Sequence, residues 1–122
     1  MVAPKNKILI IDDERAIAHA LELKLSIAGY ETVVASNGES AVAYLEKEKF
    51  NLILLDLIMP KFDGFSVLEF INRNRIKTPV IVLSNLSQQD DEKRAKEMGV
   101  KEFFIKSNIT IAEVISYIKK IL

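Results

Sequence analysis

Five short aliphatic runs, at 8–11, 32–35, 52–55, 80–83 and 103–105, recur along the chain, and the segments between them carry apolar side chains at helical spacing. This alternation excludes most architectures. Strands separated each time by a helix are joined by right-handed crossovers and must lie parallel in an open sheet. A parallel strand covered by helices on both faces has no solvated side, which is why "ILII" and "LILL" are unbroken runs rather than alternating ones. The expected fold is a doubly wound α/β domain with five parallel strands in the order 2-1-3-4-5 and five helices. At 122 residues and 49% hydrophobic content the chain is large enough for one core, so residues 1–122 are read as a single domain with a flexible tail over 1–6.

The helical segments carry their own punctuation. Ile17, Ala20, Leu21, Leu25 and Ala28 share one face of a first helix that Gly29 can close, whereas His19 points to water. Asn37-Gly38 reads as a turn before a helix carrying Ala41, Val42 and Leu45. Asp63 is a candidate cap for a third helix with Phe65, Val67, Leu68 and Ile71. A fourth, "SQQDDEKRAKEMG", starts at Ser87 and is acidic first and basic later; it has little apolar surface, chiefly Ala95 and Met98. Thr110 and Glu113 form a capping box for the last helix, with a stripe of Ile111, Val114, Ile115, Ile118, Ile121 and Leu122.

Two of the aliphatic runs stop at acids: "ILIIDDE" at 8–14 and "LILLDLIMP" at 52–60. In an open parallel sheet, ligands sit beyond the carboxyl ends of the strands where strand order reverses, here between strands one and three. Asp12, Asp13 and Asp56 therefore converge, with Glu14 beside them. Two carboxylates about 5 Å apart repel by roughly 3 kcal/mol at an effective dielectric of about 20, so the cluster needs a raised pKa, a lysine or a divalent cation. Oxygen ligands without histidine or cysteine point to a hard ion such as Mg2+. Ser84 and Lys106 each directly follow a strand run and emerge at the same edge. Acids, a hydroxyl and an ammonium are the parts required for phosphoryl transfer to a carboxylate, and Asp56, standing singly at the central strand, is the chosen nucleophile.

Composition removes other classes. Seventeen basic and seventeen acidic side chains cancel, leaving no global field for nucleic acid or an anionic membrane. There is no cysteine for disulfides or thiolate chemistry, no secretory leader pattern and no apolar run long enough to span a bilayer, so the cytoplasm is the expected compartment.

With "ILIIDDE", "LILLDLIMPKFDG", "VIVLSN" and "KEFFIKS" in this order, the chain resembles, over essentially its whole length, the receiver domain of two-component response regulators, which has a flavodoxin-like fold. The resemblance implies a phosphoprotein: Asp56 accepts a phosphoryl group from a histidine kinase or phosphotransfer protein. Mg2+ would be held by Asp13, Asp56 and the backbone carbonyl of Ile58, with Asp12 acting through water. Lys106 would pair with the phosphoryl group, Ser84 would move to hydrogen-bond it, and Phe103 would be the aromatic switch. The fourth helix, fifth strand and fifth helix would then signal to an effector protein or output domain, or form a homodimer. Catalysis would be limited to self-phosphorylation and autodephosphorylation, without turnover of a separate substrate. Two positions depart from the family's pattern. Ser107 stands where proline commonly follows the lysine in a cis bond; a cis non-proline bond costs about 2.5–4 kcal/mol, leaving this one trans or strained. Asn85 stands where a smaller residue is usual, which bears on access to the phosphoryl group.

Blander readings exist for each residue alone. Asp12 and Asp13 could cap the first helix, Lys106 could be a solvated lysine, Ser84 a turn hydroxyl and Phe103 a core residue. A docking scaffold that is never phosphorylated keeps the same fold. A magnesium-dependent phosphatase with an aspartyl nucleophile fits less well, since by family analogy it would carry an acid where Ile58 stands.

Overall fold

The computed structural model describes residues 5–59, 62–85 and 89–122. Strands β1 (Lys7–Ile11), β2 (Glu31–Ala35), β3 (Leu52–Leu55), β4 (Val80–Ser84) and β5 (Glu102–Ile105) alternate with helices α1 (Arg15–Ile27), α2 (Gly38–Lys47), α3 (Gly64–Arg73), α4 (Gln89–Glu97) and α5 (Ile111–Ile121). All strand pairs are parallel, in the order β2-β1-β3-β4-β5. This is the flavodoxin-like arrangement that the alternation of runs implies.

Strand periodicity divides the core in two. Leu9, Ile11, Ile53, Leu55, Val80 and Val82 face one cluster with α2, α3 and α4. Ile8, Ile10, Leu52, Leu54, Ile81 and Leu83 face the other with α1 and α5. Both faces of the three inner strands are therefore dry, and the continuous aliphatic runs follow from that.

Four expectations change in detail. Asn37 is the N-cap of α2, its side chain accepting from the Ser40 N–H at 2.8 Å, so the Asn-Gly pair starts a helix instead of forming a separate turn. Ala18, not Ile17, joins Leu21 and Leu25 as a fully buried residue of α1. Ser84 is the last residue of β4, paired with Ile105, where the apolar pattern ends the strand one residue earlier. Asn6, expected in the tail, is tied to β2 because its carbonyl accepts the Glu31 N–H at 2.9 Å. Residues 1–4, Pro60 and Ser87, the expected start of the fourth helix, lie outside the described residues. The Asp63 cap on Ser66 and the Thr110–Glu113 capping box are present as the sequence implies, and the His19 side chain is 77% exposed.

Candidate functional site

Ile11 lies opposite Leu55, so β1 and β3 end together and the chain leaves both at the same level. One further pair of ladder bonds fixes the residues that follow: the Asp12 N–H donates to Ala35 O at 3.1 Å and the Asp56 N–H to Ile11 O at 2.9 Å. Asp12 and Asp56 are thereby buried, at 4% and 3% exposure, while Asp13 projects into solvent. A carboxylate oxygen from each of the three lies within 4.8 Å of the others.

The next two strand ends add the donors. Ser84 Oγ donates to Asp56 Oδ1 at 2.8 Å, and the Ile58 N–H donates to the same oxygen at 3.0 Å. Lys106 leaves β5 in a short 3-10 turn, Lys106–Asn108, and its Nζ meets Asp56 Oδ2 at 3.0 Å, Asp12 Oδ2 at 2.9 Å and Glu14 Oε1 at 2.8 Å. Five of the residues expected at the site, Asp12, Asp13, Asp56, Ser84 and Lys106, thus assemble at one edge. No peptide bond among the described residues is cis, the one between Lys106 and Ser107 included.

Burial dominates the electrostatics of Asp12 and pushes its carboxyl from an ordinary 3.8 up to about 6; the neighbouring Asp56 charge adds to the rise, while Lys106 and the Glu14 N–H oppose it. Lys106 shows the opposite balance. Burial disfavours its charge, but hydrogen bonds to Glu14, Asp12 and Asp56 outweigh this and hold the ammonium well above its ordinary value. The lysine therefore stays charged and partly neutralises a cluster that would otherwise repel itself.

Two residues matter more than their sequence context suggests. Glu14, expected only beside the cluster, binds Lys106 directly. Gly64 is a close-approach position: a methyl group there would lie 2.5 Å from the Asp56 carbonyl oxygen and 2.6 Å from Leu57 Cα. Asp63 caps α3 as its sequence context implies, and the glycine after it lets the helix start against the backbone that carries Asp56.

Strand alternation separates the two phenylalanines as expected. Phe103 is 6% exposed and packs into the core cluster that includes Val82 and Ala95. Phe104 faces the other side, edge-on to Tyr117 with ring centroids 5.3 Å apart. Ile58 is half exposed beside the acids, and Asn85 is exposed just past Ser84.

The comparisons with known proteins agree with this geometry. The sequence profile of the response regulator receiver domain matches residues 8–119. The probable transcriptional regulator ycf27 of Porphyridium aerugineum is 41% identical over 102 residues, 84% of this chain and 42% of that protein. The alkaline phosphatase synthesis transcriptional regulatory protein PhoP of Bacillus subtilis is 34% identical over 100 residues, 82% of this chain and 42% of that protein. The chain thus spans well under half the length of these curated relatives. The response regulator TrrA of Thermotoga maritima, solved in complex with Mg2+-BeF, superposes with a TM-score of 0.82 at 27% identity, covering 96% of this chain and 99% of that one. With a profile running over nearly its whole length and a sheet that superposes on solved receiver structures, the chain belongs to the response regulator receiver domain family of two-component systems.

Proposed function

We propose that Asp56 accepts a phosphoryl group from the phosphohistidine of a histidine kinase or phosphotransfer protein, in a magnesium-dependent reaction. The observation that supports this best is the environment of one carboxylate. Asp56 is 3% exposed at a strand end, with Ser84 on one oxygen, Lys106 on the other and two more acids within 4.8 Å. Oxygen-only donors fit a hard cation, and the Mg2+-BeF complex of the Thermotoga relative supports magnesium as that ion. Asp12, Asp13, Asp56 and the Ile58 carbonyl would hold it, Asp12 through water. When bound, the ion offsets the negative charge of the incoming phosphate.

The chain's own groups then divide the work. An Asp56 oxygen forms the new O–P bond as the P–N bond of the phosphohistidine breaks and the imidazole keeps the electron pair. Lys106 can release Asp56 Oδ2 for a phosphoryl oxygen while Asp12 and Glu14 still hold it, because three carboxylates share it. Ser84 turns from Asp56 Oδ1 towards another phosphoryl oxygen. Since Ser84 pairs with Ile105 and Val82 with Phe103, movement at the end of β4 reaches β5 and the packing of Phe103. The surface formed by α4, β5 and α5 carries the change to an effector protein, to a linked output domain or to a second copy of the chain. Balanced charge favours this protein-borne output over direct contact of the receiver with nucleic acid. The domain acts in the cytoplasm as a phosphoacceptor, its chemistry limited to self-catalysed transfer and autodephosphorylation.

Intact-mass measurement with acetyl phosphate tests this. One phosphoryl group is expected with magnesium, little without it and none in Asp56→Asn. An unlabelled wild-type chain at saturating magnesium would refute the assignment and leave a docking scaffold as the reading.

A further inference from the structure

At the opposite edge of the sheet from the acids, the C-terminal ends of α2 and α3 and the segments entering β3 and β4 enclose a cavity of about 430 Å3. Buried or partly buried Leu45, Phe50 and Ile76 line it together with exposed Lys49, Arg75 and Lys77. None of these three cations has an ion-pair partner among the described residues. The acid at the cavity, Glu48, is already neutralised by Lys7 at 2.7 Å, and the Lys7 ammonium also lies 5.9 Å from the centroid of the Phe50 ring. A chain of zero formal net charge therefore concentrates unpaired positive charge around one apolar hollow.

A backbone observation points to the same place. Helices α1, α3 and α4 end alike, with paired hydrogen bonds that require a left-handed residue: Gly29 N to Ser26 O and Tyr30 N to Leu25 O; Arg75 N to Asn72 O and Ile76 N to Ile71 O; Gly99 N to Lys96 O and Val100 N to Ala95 O. The first and last use glycine, at φ 99° and 94°, whereas α3 uses Arg75 at φ 54°, the sole non-glycine residue of positive φ among those described. An arginine is disfavoured in this conformation, and no ion pair among the described residues compensates for it.

We propose that this cavity binds a small amphipathic anion, an organic carboxylate or phosphate monoester whose apolar body rests on Phe50 and Ile76 and whose charged group is met by Arg75, Lys77 and Lys49. Its volume lies in the range of small-ligand pockets, and a guanidinium suits bidentate recognition of either anion. The proposal is independent of phosphorylation at Asp56.

The test is a titration of the 15N-labelled chain with phenyl phosphate and benzoate, with neutral benzyl alcohol, inorganic phosphate and an acidic peptide run in parallel. Either aromatic anion should saturate with a Kd on the order of 1 mM or tighter, moving the amides of residues 45–50 and 75–78. Arg75→Gly keeps the left-handed turn and removes the charge; it should weaken binding at least tenfold while raising thermal stability. Lys77→Gln should weaken it less. Equal response to the alcohol, shifts confined to the Asp56 edge, undiminished affinity in Arg75→Gly, or binding of the peptide alone would each overturn the proposal.

Discussion

Replacing Asp12 by asparagine sets the needs of the site against those of the fold. Burial holds this carboxyl at about 6 against an ordinary 3.8, so the folded chain keeps a proton that the unfolded chain has released. Between about pH 4 and 6 the folded state binds more protons, and stability falls as pH rises through that window. Above it the whole penalty is present, roughly 3 kcal/mol at 1.36 kcal/mol per pKa unit. Asparagine mimics the neutral acid: its Oδ1 can still accept the Glu14 N–H, bonded at 2.9 Å. Its amide nitrogen, however, sets a donor against Lys106, which meets Asp12 Oδ2 at 2.9 Å. That mismatch cancels part of the gain and leaves a net stabilisation of about 1–2 kcal/mol. Urea denaturation in chelator at about pH 7.5 should therefore show Asp12→Asn more stable than wild type, with the gap closing towards pH 4. Saturating magnesium should reverse the order, because under the proposed function the ion would stabilise the chain that retains the carboxylate. A variant no more stable than wild type in chelator, or a gap independent of pH, would refute the reasoning.

Lys106→Ala removes the cation shared by three carboxylates and should cost about 3–5 kcal/mol in metal-free denaturation, with magnesium recovering most of it. Gly64→Ala forces a methyl group into the Asp56 backbone; an overpacking loss of about 1–3 kcal/mol is expected, together with slower phosphorylation by acetyl phosphate in a mass-based time course. Thr110→Ala deletes the capping box of α5 and should lower stability by about 1 kcal/mol in thermal unfolding, with phosphorylation unchanged.

What the sequence revealed, and what it concealed, has a physical pattern. The inner strands were legible because burial on both faces leaves only aliphatic residues there, and the site followed once the parallel topology placed four strand ends together. Strand limits were less legible: Lys7, Glu31, Ser84 and Glu102 belong to the ladders because pairing depends on backbone, and their polar side chains mask it. The Glu14 contact spans 92 residues of sequence, so no local pattern announces it. Nor does spacing reveal that Gly64 touches the Asp56 backbone, or that Arg75 occupies a turn where glycine is the ordinary choice.

The charge balance of the cluster bears on which part of the fold would move. Asp12, Asp13, Glu14 and Asp56 face Lys106, so with every acid ionised the set carries four negative charges against one positive. A divalent cation would bring the balance to about −1, and converting Asp56 to an acyl phosphate would lower it again by about one charge, since the mixed anhydride loses the carboxylate's own charge and the phosphate brings up to about two. New donors must then approach. Strands β1 and β3 cannot supply them by moving, because their apolar residues from Ile8 to Ile11 and Leu52 to Leu55 are at most 2% exposed and packed on both faces. The side beyond Ser84 is different. Among the described side chains of α4 only Ala95 is fully buried, with Met98 just past the helix partly covered, so displacing this element costs far less apolar contact. Under the proposed function, a charge change at a rigid strand end, met by a serine on the neighbouring strand and next to a lightly anchored helix, would direct the response towards α4 and β5.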